Sequence, residues 1–137
     1  GLGNTTSYSS PKQVGALTNW LSVSCGDRHT VSIKTDGTLW SWGRNQYGQL
    51  GLNNITDYSS PKQVGALTNW SSVSCGGNHA VSIKTDGTLW SWGYNIYGQL
   101  GQGNTTNYSS PKQVGALTSW TKLFKGLTSN SPLAISS

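Results

Sequence analysis

Between Val31 and Trp42 the chain alternates apolar with small or polar residues. Val31 and Ile33 are separated by Ser32 and followed by Lys34, and Leu39-Trp40-Ser41-Trp42 resumes the pattern after Thr35-Asp36-Gly37-Thr38. A period of two predicts strands, and Asp-Gly between two such runs predicts a hairpin. Read as a two-residue type I′ turn, it pairs Thr35 with Thr38, Ile33 with Trp40 and Val31 with Trp42. Those four apolar side chains then share one face, and Ser32, Lys34, Leu39 and Ser41 share the other. A large aromatic face backed by a small one suits sheets stacked face to face, each Trp filling space over the next unit's small residues. Trp20 to Cys25 reads as a further strand ended by Gly26, and Pro11-Lys12-Gln13-Val14 as a short outer strand that tolerates its proline.

The pattern recurs. Tyr8 to Asp57 aligns without gaps onto Tyr58 to Asn107, a period of 50 residues with 40 positions identical. A third copy keeps Tyr108 to Thr118 and Trp120, then degenerates through Lys122, Phe124, Lys125 and Pro132. The organisation read from this is a tail of a preceding repeat (1–7), repeat 1 (8–57), repeat 2 (58–107) and a degenerate partial repeat 3 (108–137), all in one array. About four short strands per 50 residues is the blade pattern of a propeller. The fold class predicted is therefore all-β, with repeats of about four antiparallel strands. With two full repeats and a truncated third, a partial propeller is expected, completed by further repeats or by oligomerisation, because open strand edges and uncovered Trp faces are sticky.

Composition narrows the functional classes. Charged residues make up 9% of the chain, against about 25% in typical soluble domains, so hydroxyls and amides solvate the surface. The 7 Trp exclude a disordered chain. No apolar run is long enough for a membrane span, and no signal-peptide pattern opens the chain. Gly1 stands first and no Met occurs anywhere, so a processed chain or a piece of a longer one is expected. The net charge of +5 raises an acidic partner. Yet Lys12, Lys62 and Lys112 form one dispersed set and Lys34 and Lys84 another, which reads as a solvated surface and disfavours nucleic acid.

Catalytic chemistry finds little support. The only acids are Asp27, Asp36, Asp57 and Asp86, two of them in hairpin turns, so paired-carboxylate work is not expected. His29 and His79 occupy the same repeat position, which reads as structural, an imidazole fixed by backbone hydrogen bonds. Cys25 and Cys75 are likewise equivalent and read as small buried strand residues, without the C-x-x-C spacing of a zinc site. The glycines from Gly43 to Gly51 lack the following helix and the Lys of a phosphate loop. No catalytic residue, metal or cofactor is expected, and the chain reads as a non-enzyme.

Two runs carry a family resemblance. Val23, Cys25, Gly26 and His29 are followed by Asp36-Gly37, Trp40, Trp42-Gly43, Asn45 and Gly48-Gln49-Leu50-Gly51, and the set recurs from Val73 to Gly101. This resembles the repeat of the regulator of chromosome condensation family. The resemblance implies a propeller, usually of seven blades, in which sequence repeats and blades are offset. It also implies structural roles for Gly37, Gly87, His29, His79, Trp40, Trp42, Trp90 and Trp92. Members of that family include guanine-nucleotide exchange factors, a plant light sensor, inhibitors of β-lactamase and domains of bacterial and phage surface proteins, so fold alone does not fix function.

The ten differences between the two intact repeats supply a sharper signal. Apart from Leu21, which becomes Ser71, they fall at 27, 28 and 30, at 44 and 46, and at 52, 53, 55 and 57. The predicted register pairs 29 with 44, so residues 27–30 and 44–46 meet at the end opposite the Asp-Gly turn. One rim varies while the framework is held. The candidate recognition residues are Arg28, Arg44, Gln46, Asn78, Tyr94 and Ile96. Tyr47 and Tyr97, which precede Gly in the long loop, are read as packing at blade edges, with stacking on sugars or bases as the alternative. The expected function is a non-enzymatic propeller module binding a protein or surface ligand, part of a bacterial or phage surface or structural protein, extracellular or on a virion or cell surface. The alternatives are an exchange factor or chromatin-associated regulator, a carbohydrate-binding propeller, and a cytoplasmic setting.

Overall fold

The computed structural model describes residues 1–124 and the backbone of Ile135–Ser136. Two four-stranded antiparallel sheets follow one another along the chain. The first holds β1 (Trp20–Cys25), β2 (His29–Lys34), β3 (Leu39–Gly43) and β4 (Tyr58–Gln63) in that spatial order. The second repeats it with β5 (Trp70–Cys75), β6 (His79–Lys84), β7 (Leu89–Gly93) and β8 (Tyr108–Gln113). A short pair, β9 (Lys122–Leu123) with β10 (Ile135–Ser136), follows. Lys125 and Pro132 of the divergent third copy lie outside the described residues.

The blades are offset from the sequence repeats. Tyr58–Gln63 opens the second repeat, yet pairs with β3 of the first, Trp40 opposite Gln63 and Ser41 opposite Lys62. Pro61 sits in this outer strand, where a missing N–H breaks no ladder. The equivalent stretch from Tyr8 to Gln13, predicted in part as a strand, is none. Its sequence is the same; it lacks a neighbouring strand to pair with, so pairing rather than propensity decides the outcome.

The hairpin is real, but its turn and register differ from the prediction. Val31 lies opposite Ser41, Ser32 opposite Trp40 and Ile33 opposite Leu39. Lys34 N–H donates to Thr38 O at 3.0 Å and Gly37 N–H to Lys34 O at 2.9 Å, a three-residue loop closed by Gly37 at φ +76°. This is a type I turn with a glycine bulge, not a type I′ turn. Asp36 selects it. Its carboxylate accepts from Thr38 N–H at 2.9 Å and from Thr38 Oγ1 at 2.6 Å, and Thr38 Oγ1 accepts from Trp40 Nε1–H at 2.8 Å. The Thr38 hydroxyl holds the Asp36 carboxyl below its ordinary pKa.

A slip of one residue exchanges the faces. Trp40 and Trp42 share a side with Ser32 and Lys34, whereas Val31, Ile33, Leu39 and Ser41 form the other. The blades stack by setting these unlike faces together. Trp70, Ala80 and Trp92 of the second blade pack with Val31, Ile33, Leu39 and Val64 of the first. Trp92 is fully buried and its Nε1–H donates to Gln49 O at 3.0 Å. The second blade's Val81, Ile83 and Leu89 are covered in turn by Val114, Trp120 and Leu123. Each aromatic face therefore covers the aliphatic face of the blade before it, the nearest-neighbour logic of repeat proteins.

The register also explains Lys34 and Lys84, which are buried rather than solvated. Lys34 Nζ lies 3.6 Å from the Trp40 ring centroid and 5.0 Å from that of Trp20; Lys84 repeats this with Trp90 at 3.7 Å and Trp70 at 4.8 Å. Ring faces stabilise a cation that has lost water, though burial still pushes the Lys84 pKa down.

Candidate functional site

At the end opposite the Asp36-Gly37 turn, β2 and β3 part and the chain enters its most divergent segments. Gly43 lies opposite His29, and Arg44 N–H donates to Arg28 O at 2.8 Å. The rim thus pairs 28 with 44, one residue from the expected 29 with 44, and the segments still meet. In the second blade Tyr94 N–H donates to Asn78 O at 2.9 Å. The two rims join where Asp27 N–H donates to Gly77 O at 3.0 Å and Gln49 Nε2 reaches Asn78 Oδ1 at 3.5 Å.

The long loops behind this rim are rigid for local reasons. Asn45 is fully buried; its N–H donates to Asp57 Oδ1, its Nδ2 to Asn54 O, and its Oδ1 accepts from Leu50 N–H. Asn95 repeats the arrangement with Asn107, Asn104 and Leu100. A side-chain amide can substitute for backbone partners where the chain turns too sharply to form a ladder. On this frame Arg44 bonds Gln46 in the first blade. Tyr94 and Ile96 stand at the equivalent places in the second, and Ile96 is 47% exposed.

Position 47 gains a meaning that the sequence did not give it. Tyr47 and Tyr94 lie with ring centroids 4.6 Å apart, and Tyr94 and Tyr97 at 6.2 Å with their planes nearly perpendicular. Tyr97 is 74% exposed. Three tyrosines from two blades therefore form one surface cluster around Tyr94. Of the predicted rim residues, Arg44 with Gln46 and Tyr94 with Asn78 are brought together, and Ile96 borders the aromatic cluster in sequence. Arg28 is exposed and joins the rim through its carbonyl.

The repeated histidines sit beneath the rim. His29 and His79 are buried; among the described residues neither ring nitrogen of His29 makes a hydrogen bond of normal geometry, although the His79 backbone lies near enough to favour its protonated form. Close packing holds both rings: a Cβ added at Gly26 would lie 2.3 Å from His29 Cε1, and one at Gly76 would lie 2.1 Å from His79 Cε1. Burial first, then the neighbouring His79, lowers the His29 pKa to about 4, and burial lowers that of His79. Both are neutral near pH 7. Cys25 is exposed rather than buried, and Cys75 is partly buried. Cys75 Sγ donates to Ser24 O at 3.4 Å and its N–H to Ser24 Oγ at 2.9 Å, tying inner strand to inner strand.

Stacked four-stranded blades with offset closure, a buried repeat histidine and a Trp inserted into the previous blade define a propeller-repeat protein. The model of the regulator of chromosome condensation (RCC1) repeat matches residues 1–33, 36–83 and 86–126, and a second model of that repeat matches 20–49 and 70–99. The chain belongs to the RCC1 repeat family. It is 40% identical over 55 residues to an X-linked retinitis pigmentosa GTPase regulator homolog of Caenorhabditis elegans, covering 37% of this chain and 4% of that protein. It is also 40% identical over 53 residues to the ultraviolet-B receptor UVR8 of Arabidopsis thaliana, covering 37% of this chain and 12% of the receptor. Among solved structures, human WBSCR16 superposes with a TM-score of 0.67 at 27% identity, over 76% of this chain and 28% of that one. Prp20p of Saccharomyces cerevisiae, described with its binding to Gsp1p and histones, gives 0.70 at 20% identity over 86% and 30%. The chain thus spans less than a third of each of these relatives.

Proposed function

We propose that this RCC1-repeat array is a non-enzymatic interaction module that engages a protein partner through the rim of residues 27–30 and 44–47 and their repeat equivalents. The observation that carries the reading is the Tyr47, Tyr94 and Tyr97 cluster, set across two blades where the repeats diverge most. Tyrosines offer large contact area at low entropic cost and are enriched at binding hot spots. Arg44 and Gln46 border the cluster with polar groups. Peptides selected from a random library on the native chain test this. Their binding should fall at least tenfold, roughly, on Tyr94→Ala with Arg44→Ala; binders indifferent to that pair would sink the reading.

The open aromatic face of the first blade fits a setting in which further repeats or other copies of the chain continue the array. Light scattering against concentration tests the second case, since a persistent monomer opposes self-assembly. An extracellular or particle-surface location is consistent with a charge-poor exterior of hydroxyls and amides. Exchange-factor activity, the alternative, rests on the family resemblance alone, and nucleotide release from a small GTPase would establish it. Histone binding is disfavoured by charge: the chain carries +5, and its only acids are four Asp.

A further inference from the structure

A slot of about 340 Å³ lies between the two blades, distinct from the tyrosine rim. The first blade contributes Leu52, Asn53, Gln63, Val64 and Leu67, and the second contributes Trp70, Trp90 and Ser110. The volume is in the range of small-molecule sites. Four polar groups around it have no partner among the described residues. Trp70 is 4% exposed and its indole N–H is buried without an acceptor. The side chains of Gln63, Asn53 and Ser110 make none of the hydrogen bonds found among the described residues. By contrast Trp90 Nε1–H donates to Thr88 Oγ1 and Trp92 Nε1–H to Gln49 O, and among the described residues a buried indole without an acceptor occurs at position 70 and its repeat equivalents Trp20 and Trp120.

The lining has no charged side chain. Buried Lys84 occupies one face of Trp90, and this half-exposed ring offers its remaining surface to the slot. An aromatic wall, two amides and a hydroxyl suit a ligand that is flat and apolar on one side, rich in hydroxyls at its edge, and uncharged. The Trp70 indole N–H is itself sealed from solvent, so the groups a ligand can reach are the two amides, the Ser110 hydroxyl and the Trp90 ring. We infer that the inter-blade slot binds a neutral pyranose sugar. Trp90 stacks on the ring, the Trp70 ring closes one side, and Gln63, Asn53 and Ser110 bond the hydroxyl edge. A related cavity of about 260 Å³ borders the first blade, lined by Gln13, Val14, Leu17 and Trp20, the repeat counterparts of Gln63, Val64, Leu67 and Trp70. Repetition along an array multiplies weak single-ring affinities, as suits a glycan.

The test is a titration of the whole chain with methyl β-glucoside, methyl β-N-acetylglucosaminide and cellobiose, followed by amide and indole NMR. At least one sugar should shift the Trp70 indole N–H and the Gln63 side-chain amide with saturation in the millimolar range. Gln63→Ala should weaken binding about tenfold, and Ser110→Tyr, which fills the slot while removing no apolar wall, should abolish it in a folded chain. Glucuronate should bind no better than its neutral counterpart. Shifts confined to Tyr47, Tyr94 and Tyr97, no saturable shift with any of the three, or a proline-rich peptide moving the Trp70 signal where the sugars do not, would overturn the inference. The rim variant Tyr94→Ala should leave sugar binding unchanged, which separates this site from the protein-binding surface.

Discussion

The aromatic faces of the two blades are built from the same residues and meet different surroundings. Trp70 and Trp92 of the second blade are buried against the first, whereas their counterparts Trp20 and Trp42 are only half-buried and Val23 beside them is 58% exposed. Trp42 has the backbone near Gly1 against its ring edge; Trp92 has the Gly51 turn and the aliphatic face of a whole blade. Identical sequence therefore yields unequal burial, and the energy of a Trp belongs to the junction it fills. In such an array a blade is stabilised by the blade before it.

The largest expected effect breaks that asymmetry directly. Trp92→Ala should destabilise the chain by about 3–5 kcal/mol, as for a large core residue, and Trp42→Ala by a clearly smaller amount; urea unfolding of the two variants measures both. Equal losses would mean that the first aromatic face is as well packed as the second.

The buried histidines give the next effect. Their pKa values are lowered on folding, so the unfolded chain binds more protons as pH falls. Stability is full above about 6.5, is lost between there and the folded value of about 4 for His29, and then levels off. A shift of that size corresponds to about 3 kcal/mol, with His79 adding in the same direction. Tm across this window should fall steeply, and His29→Gln should flatten the fall. The Asp36 and Asp86 carboxyls are held low, so their contribution is lost only below their ordinary 3.8 and does not blur the histidine window.

Third, Gly76→Ala places a methyl against His79 and should cost about 1–3 kcal/mol by overpacking. Gly76 lies outside the left-handed region, so that loss is steric; Gly15→Ala, where an added Cβ meets nothing within 4 Å but φ is +64°, gives the converse case of backbone strain without a clash. The smallest effect concerns the turns. Asp36→Ala and Asp86→Ala should lower Tm slightly and equally, because the Thr38 and Thr88 contacts are the same in both blades. Unequal losses would show that the turns also sense the junction.

Much of the scaffold was legible because strand alternation and Asp-Gly are local signals. The strand Trp20–Cys25 and the hairpin were read correctly; the register was not, since Asp-Gly serves both a type I′ turn and a type I turn with a bulge. Thr38 beside Asp36 was the signal that distinguishes them, and missing it exchanged the two faces and left Lys34 in solvent. The sequence from Tyr8 shows another limit: the same six residues form a strand only where β3 or β7 awaits them. At the rim, the clustering of repeat differences pointed to Arg44, Tyr94 and their neighbours. Tyr47 escaped that filter because it is identical in both repeats, and only the fold sets it beside Tyr94.

Indole hydrogen exchange, at a concentration where the chain is monomeric, tests the stacking of blades most directly. The Trp92 Nε1–H, fully buried and bonded to Gln49 O, should exchange orders of magnitude more slowly than that of Trp42. Equal protection at the two indoles would contradict the claim that each aromatic face is secured by the blade before it.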